Sequence, residues 1–217
     1  MNSILASKWT KVAVFLACLG PLALIVWEGF HGEWGANPTQ FLEHATGDWV
    51  LRFLAITLAV TPLRKILNQP NLIRFRRMLG LFAFFYACIH ISIYLGLDQV
   101  LDFHGVWADV MKRRYITVGF TGFVLMIPLA VTSTAGMIRR LGGKRWQKLH
   151  RLIYISAVAG VIHFLWLVKS DIHVPIEYAG VMVILLGWRV YTWYTGPGRR
   201  VPAKSVASKQ STTPVVE

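Results

Sequence analysis

The chain has 217 residues, of which 55% are apolar and 15% charged, and its 23 Lys and Arg against 10 Asp and Glu give a net charge of +13. Charge crowded into short stretches between long uncharged ones points to a membrane protein. The excess of positive charge does not form a face of the kind nucleic acid needs, which sets that partner aside.

Six apolar stretches reach the length a helix needs to cross a bilayer, about 20 residues. The first, 9–26, has Lys8 and Lys11 at its start and is broken only by Pro21. It lacks a small-residue cleavage site and exceeds the usual signal core, so it is expected to be retained. The others run over 49–66, 78–97, 115–132, 152–168 and 174–194. Continuous apolar runs suit helices, whereas a barrel would show short alternating segments. The expected fold is an all-α integral membrane protein, a six-helix transmembrane bundle.

The loops orient it. Arg64, Lys65, Arg74, Arg76 and Arg77 lie between the second and third spans, and Arg139, Arg140, Lys144, Arg145, Lys148 and Arg151 between the fourth and fifth. Opposite loops carry Glu33, Glu43, Asp48, Asp98, Asp102, Asp109, Asp171 and Glu177, with Lys112, Arg113, Arg114 and Lys169 as their cations. Basic loops stay in the cytoplasm, which puts both termini there. Residues 196–217 read as a flexible basic cytoplasmic tail, polar and too short to fold alone. Cys18 and Cys88 fall within apolar spans as small buried hydrophobes, and no CxxCH occurs, which excludes covalent c-type haem attachment at the motif level.

Histidine carries the chemistry. His90, His150 and His163 lie in or at the end of apolar segments, where a ring is tolerated if it meets a metal, an ion path or a polar partner. His90 stands 13 residues beyond Arg77, and His163 stands 13 beyond His150. On two spans running in the same direction, both therefore sit about 20 Å above the inner end. Two neutral imidazoles at one level can supply both axial ligands of a b-type haem iron. The plainer alternative is that each ring bonds a neighbouring helix. Thirteen residues leave His150 and His163 off a common face, so either the fifth helix is distorted near Gly160 or His150 serves a separate site.

His31, His104 and His173 read as wet loop residues, as does His44, although EHATGDW places it near the outer-level pair. Arg52, about one turn inside the second span, can pair with a haem propionate or snorkel to the interface. Gly119 and Gly122 allow close approach of a helix or macrocycle, and Pro128 can kink the fourth span. Aromatics such as Phe84, Phe85, Phe164 and Trp166 flank the histidines and fit core or lipid-facing roles better than electron relays.

The runs VTPLRKIL, NLIRFRRMLGLFAFFYACIHISIY and WQKLHRLIYISAVAGVIHFLWLVK, with EHATGDW before the second span, resemble the MsrQ family. These are haem-binding membrane subunits of bacterial periplasmic methionine-sulfoxide reductase systems, within the ferric-reductase-like transmembrane group. The resemblance covers about residues 10–195 and makes 1–195 one ferric-reductase-like haem-binding domain. It implies an inner-membrane cytochrome carrying electrons from the quinone pool to MsrP, a periplasmic molybdopterin enzyme that repairs oxidised methionines. It also implies haem b, FMN, and haem-iron ligation by His90 in ACIHIS, His163 in GVIHFLW and His150 in KLHRL. Larger ferric reductases carry two histidines on each ligand helix; here Arg76 and Arg77 stand where the inner partner would be, and Arg77 joins Arg52 as a candidate cofactor contact.

No GxGxxG and no nicotinamide domain accompany the spans, so electrons are expected from quinol or a cytoplasmic flavin reductase. A stand-alone ferric or cupric reductase is the alternative using the same outer haem. A transporter would show inverted repeats or broken helices, which the sequence does not display.

Overall fold

Ser7 and Asn37 start the first two long helices by turning a side-chain oxygen onto a free backbone N–H, that of Trp9 and that of Gln40, each at 3.2 Å. The computed structural model describes residues 7–168 and 172–195. Helices α1 (Lys8–Phe30) and α2 (Pro38–Ile66) are followed by a 3-10 turn at Pro70–Leu72 and by α3 (Ile73–Ile93). The last continues as a π-helical turn over Tyr94–Asp98. Then come α4 (Phe103–Lys112), α5 (Arg114–Val131), α6 (Ala135–Leu141), α7 (Gly143–Leu149), α8 (Leu152–Leu167) and α9 (His173–Thr195). The described residues contain no strand.

Among the described residues, five helical stretches are long and apolar enough to cross a membrane: α1, Pro70–Asp98, α5, Gly143–Leu167 and α9. The remaining expected span lies within α2, which is 29 residues long. Its apolar run is diluted by Asp48, Arg52, Arg64 and Lys65, so composition alone does not mark it as a crossing. The expected tail from residue 196 lies outside the described residues, as do Lys169 and Asp171.

Two connections hold more structure than their sequence suggested. α2 begins at Pro38, with proline at its first position where no N–H is required, so EHATGDW is helical and His44 is not a loop residue. On the same side, Asp102 Oδ1 accepts from the His104 N–H at 3.0 Å and starts α4, placing His104 in a helical first turn. The basic connection over 133–151 folds into the short helices α6 and α7.

Packing is strongest within two pairs, α2 with α3 and α5 with α8, while α9 closes against α2 and α8, and α1 against α3. Leu58, Ala83 and Ala157, each 0% exposed, lie at the centre of the core. Large apolar side chains such as Leu16, Leu24, Val183 and Ile184 face outward, as a lipid-exposed surface requires. Gly122 lets α5 approach α8 closely: a Cβ there would stand 3.3 Å from that of Ala159.

Tyr86 joins α1 to the core. Its fully buried hydroxyl donates to the Cys18 carbonyl and accepts from the Leu22 N–H, both at 3.0 Å. Those two groups stand four residues apart in α1, beside Pro21, so the tyrosine oxygen bonds one turn of that helix at both its donor and its acceptor. Tyr86→Phe removes both contacts, and we expect a loss of about 1–3 kcal/mol. The check is a lower thermal midpoint for the purified variant, with helix content by circular dichroism unchanged at low temperature.

Candidate haem-binding site

α2 and α3 on one side and α5 and α8 on the other enclose a cleft whose volume is about 320 Å³, within the range of cofactor-sized pockets, about 300–1,000 Å³. Its walls are mainly apolar, including Leu51, Leu54, Phe123 and Met126, and its polar groups gather toward the acidic-loop end.

His90 and His163 enter from α3 and α8 with ring centres 6.3 Å apart and planes crossing at 82°. Iron–nitrogen bonds of about 2.0 Å, plus roughly 1.1 Å from each nitrogen to its ring centre, span about 6.2 Å, so the separation suits one metal ion held by both rings.

Hydrogen bonds fix which nitrogen each ring offers. His90 Nδ1 lies 3.1 Å from the Glu43 carbonyl oxygen and 3.3 Å from Thr46 Oγ1. His163 Nδ1 lies 2.7 Å from the Tyr115 carbonyl oxygen. A carbonyl can only accept, so both rings carry their proton on Nδ1 and keep the Nε2 lone pair for a ligand bond. Two rings facing each other in a mainly apolar cleft, each with Nδ1 held by a carbonyl, fit haem iron.

A glycine backs each ring. A Cβ on Gly119 would fall 2.6 Å from His163 Nδ1, closer than real Cβ contacts allow, and one on Gly47 would fall 3.3 Å from His90 Cε1. The reading of Gly119 as a point of close approach is thus given its partner, the His163 ring itself.

The mouth of the cleft is polar. Glu43, His44, Asp48, Asp98 and Arg113 line it, and Val106 and Val110 of α4 cover one side. Burial, with the Asp98 carboxylate adding to it, pushes the Glu43 carboxyl up to about 7. Arg113 Nε pairs with Asp109 at 3.1 Å. The Thr117 hydroxyl donates to the Val110 carbonyl and ties α4 to α5.

The other candidates are placed differently. His150 caps the end of α7, stacked on Trp146 at 3.9 Å, with Nδ1 3.1 Å from the Trp146 carbonyl and Nε2 3.4 Å from Ser133 Oγ. It does not line the cleft that His90 and His163 share, and the chain breaks from α7 to α8 just after it. The helix is interrupted at His150–Arg151 rather than near Gly160, and His150 stands apart from the His90–His163 cleft. Arg52 donates to the Tyr178 hydroxyl at 3.0 Å, pairs with Asp48 at 3.6 Å and lies over Trp49, one side chain away from the cleft. Arg77 is exposed on the first turns of α3.

Arg113, Gly47 and the carbonyls of Glu43 and Tyr115 were not singled out from sequence. Glu43 and Gly47, both inside the quoted EHATGDW, had the only signal there.

Gly119→Ala is expected to lower haem retention about tenfold or more, because overpacking of 1–3 kcal/mol falls directly on a ligand ring. Gly47→Ala should have a smaller effect. The measurement is Soret absorbance per mole of purified protein.

Comparison with known proteins gives a consistent result. Residues 46–161 match the family described as ferric reductase like transmembrane component. A protein of Xanthomonas euvesicatoria pv. vesicatoria is 46% identical, over 98% of this chain and 95% of its own. One from Caulobacter vibrioides is 48% identical over 88% and 89%, and one from Rhodospirillum rubrum is 50% identical over 83% and 86%. All three bear the name protein-methionine-sulfoxide reductase heme-binding subunit MsrQ.

Proposed function

Because the chain belongs to the ferric-reductase-like transmembrane family, and within it to the MsrQ heme-binding subunits, we propose that it is the electron-transfer subunit of a methionine-sulfoxide reductase system. It takes electrons from the quinone pool, or from a cytoplasmic flavin reductase, and passes them to the periplasmic molybdopterin subunit MsrP. The observation that carries this reading is the facing pair His90 and His163, each with Nδ1 held by a carbonyl and Nε2 left to bind.

Haem b bound between these rings supplies a one-electron carrier. The chain's own groups do the rest. Glu43 and Tyr115, through their carbonyls, hold the ligand tautomer; Leu51, Leu54, Phe123 and Met126 exclude water; and Arg113, with Arg52 behind Asp48, would supply the cations to hold haem propionates. His150 and Arg77 form the inner candidates for a further cofactor contact, and FMN is the further cofactor that the resemblance implies.

The proposed setting is the bacterial inner membrane, crossed six times with α2 among the crossings and both termini in the cytoplasm. Support comes from the basic loops around α6 and α7 and the acidic mouth at the other end. Reporter fusions after Lys144 should read cytoplasmic and those near Asp102 periplasmic; the reverse pattern would invert the electron path.

His90→Ala and His163→Ala should each abolish the low-spin bis-histidine spectrum, and unchanged spectra in both would remove this pair as ligands. For the partner, stopped-flow reoxidation of the reduced protein is the test. Fast reoxidation by the periplasmic methionine-sulfoxide reductase is expected, while fast reoxidation by ferric chelates without any by that enzyme would favour a metal reductase.

A further inference from the structure

Two arginines from different helices meet on one hydroxyl in the basic-loop half of the bundle. Arg189 of α9 donates through Nη1 to the Tyr154 hydroxyl at 2.8 Å and through Nη2 to the Leu58 carbonyl at 3.1 Å and Thr61 Oγ1 at 3.2 Å. Arg76 of α3 brings its own Nη1 to 3.4 Å from the same Thr61 oxygen. The Arg189 guanidinium also lies over the Tyr154 ring, 5.0 Å from its centre.

Charge is not balanced there. Arg52 pairs with Asp48 and Arg113 with Asp109, both at the other end of the molecule. Neither Arg76 nor Arg189 has a described carboxylate within ion-pair distance, and Arg189 Nε is buried with no hydrogen-bond partner. Two permanently charged forks converging on one neutral oxygen, with a donor to spare, call for an anion with several acceptor oxygens.

Depth narrows the anion. Thr61 lies five residues before the end of α2, Arg76 three after the start of α3, and Arg189 six before the end of α9. At 1.5 Å per residue each is within about 10 Å of its helix end, the level at which phosphates meet a bilayer surface. Basic pockets between spanning helices on the cytoplasmic side suit lipid headgroups, and a guanidinium fork suits phosphate.

We propose that Arg76 and Arg189, joined at Thr61 and with Arg189 oriented by Tyr154 and Leu58, form a phosphate-binding site at the cytoplasmic rim. Its occupant is the headgroup of an anionic phospholipid or the phosphate of a soluble monoester. The site lies at the end of the bundle away from the His90–His163 cleft.

The test uses the full chain purified with haem, whose Soret band reports that each variant has folded. Retained phosphatidylglycerol is counted by native mass spectrometry after exchange into mixed phosphatidylglycerol and phosphatidylcholine nanodiscs. FMN and riboflavin, which differ only in the phosphate, are titrated by flavin fluorescence; this arm draws on the FMN reading above, and the Soret control on the haem reading.

In Arg76→Gln, loss of a charged hydrogen bond should cost about tenfold in one of the two arms. Phosphatidylglycerol retention falls if a lipid is the occupant, and FMN affinity falls, with riboflavin unchanged, if a monoester is. Lys65→Gln removes one exposed charge from the same rim and should leave both arms unchanged. Arg189→Gln also loses the contacts to Leu58 and Tyr154, so if it fails to fold, Arg76→Gln decides alone. Wild-type behaviour of Arg76→Gln in both arms overturns the site, as does an equal loss in Lys65→Gln, which would mean diffuse rim charge.

Discussion

The two carbonyl contacts to His90 and His163 are the constraint on which the rest of the structure turns. An imidazole in an apolar cleft can present either nitrogen, and only one choice leaves both rings able to bind a common ion. Glu43 and Tyr115 settle that choice from α2 and α5, helices other than those that carry the ligands. The chemistry therefore needs four helices held in fixed register. A small rotation of α2 would free the His90 tautomer, and a shift of α5 would free that of His163.

The packing supplies that register through contacts that tolerate little substitution. Gly119 and Gly47 put helix backbone directly against the ligand rings, so the distance from α5 to His163 is set by the absence of a side chain. Gly160 brings α8 to Leu51 in a similar way, with a notional Cβ 3.0 Å from Leu51 Cδ2. Across α3, Phe53 stacks on Tyr86 at 5.1 Å and on Phe82 at 5.8 Å, which carries the order of the α2–α3 pair to α1 through the Tyr86 hydroxyl. The cleft is thus the part of one continuous core nearest the acidic connections, and its shape is inherited from that core.

Much of this was legible from residue spacing. Equal intervals from Arg77 to His90 and from His150 to His163 put two rings at one level, and the structure brings those two together. The same arithmetic showed that His150 and His163 do not share a face, and His150 stands at the C-cap of α7, before the turn that leads into α8. What spacing does not contain is contact between helices. Nothing local says that Gly119 lies under His163, that Tyr115 lends it a carbonyl, or that Arg113, which reads as an ordinary loop cation, lines the cleft. The extension of α2 to Pro38 was missed because Glu43, His44 and Asp48 look like loop residues; they are polar because their helical turns form the mouth.

The cleft's place near one end of the bundle has an energetic consequence. On the proposed orientation its polar mouth faces the periplasm, while Leu58, Ala83 and Ala157 close the packed core beneath it. An electron entering from the cytoplasmic side would then cross most of the low-dielectric layer before reaching the His90–His163 level. In a cell whose interior is negative, that outward movement of negative charge is favourable, by about 2.3 kcal/mol for each 100 mV traversed. Repair of proteins outside the membrane would then draw on the membrane potential as well as on the reducing power of the donor, and a de-energised cell would lose part of the driving force even with its electron supply intact.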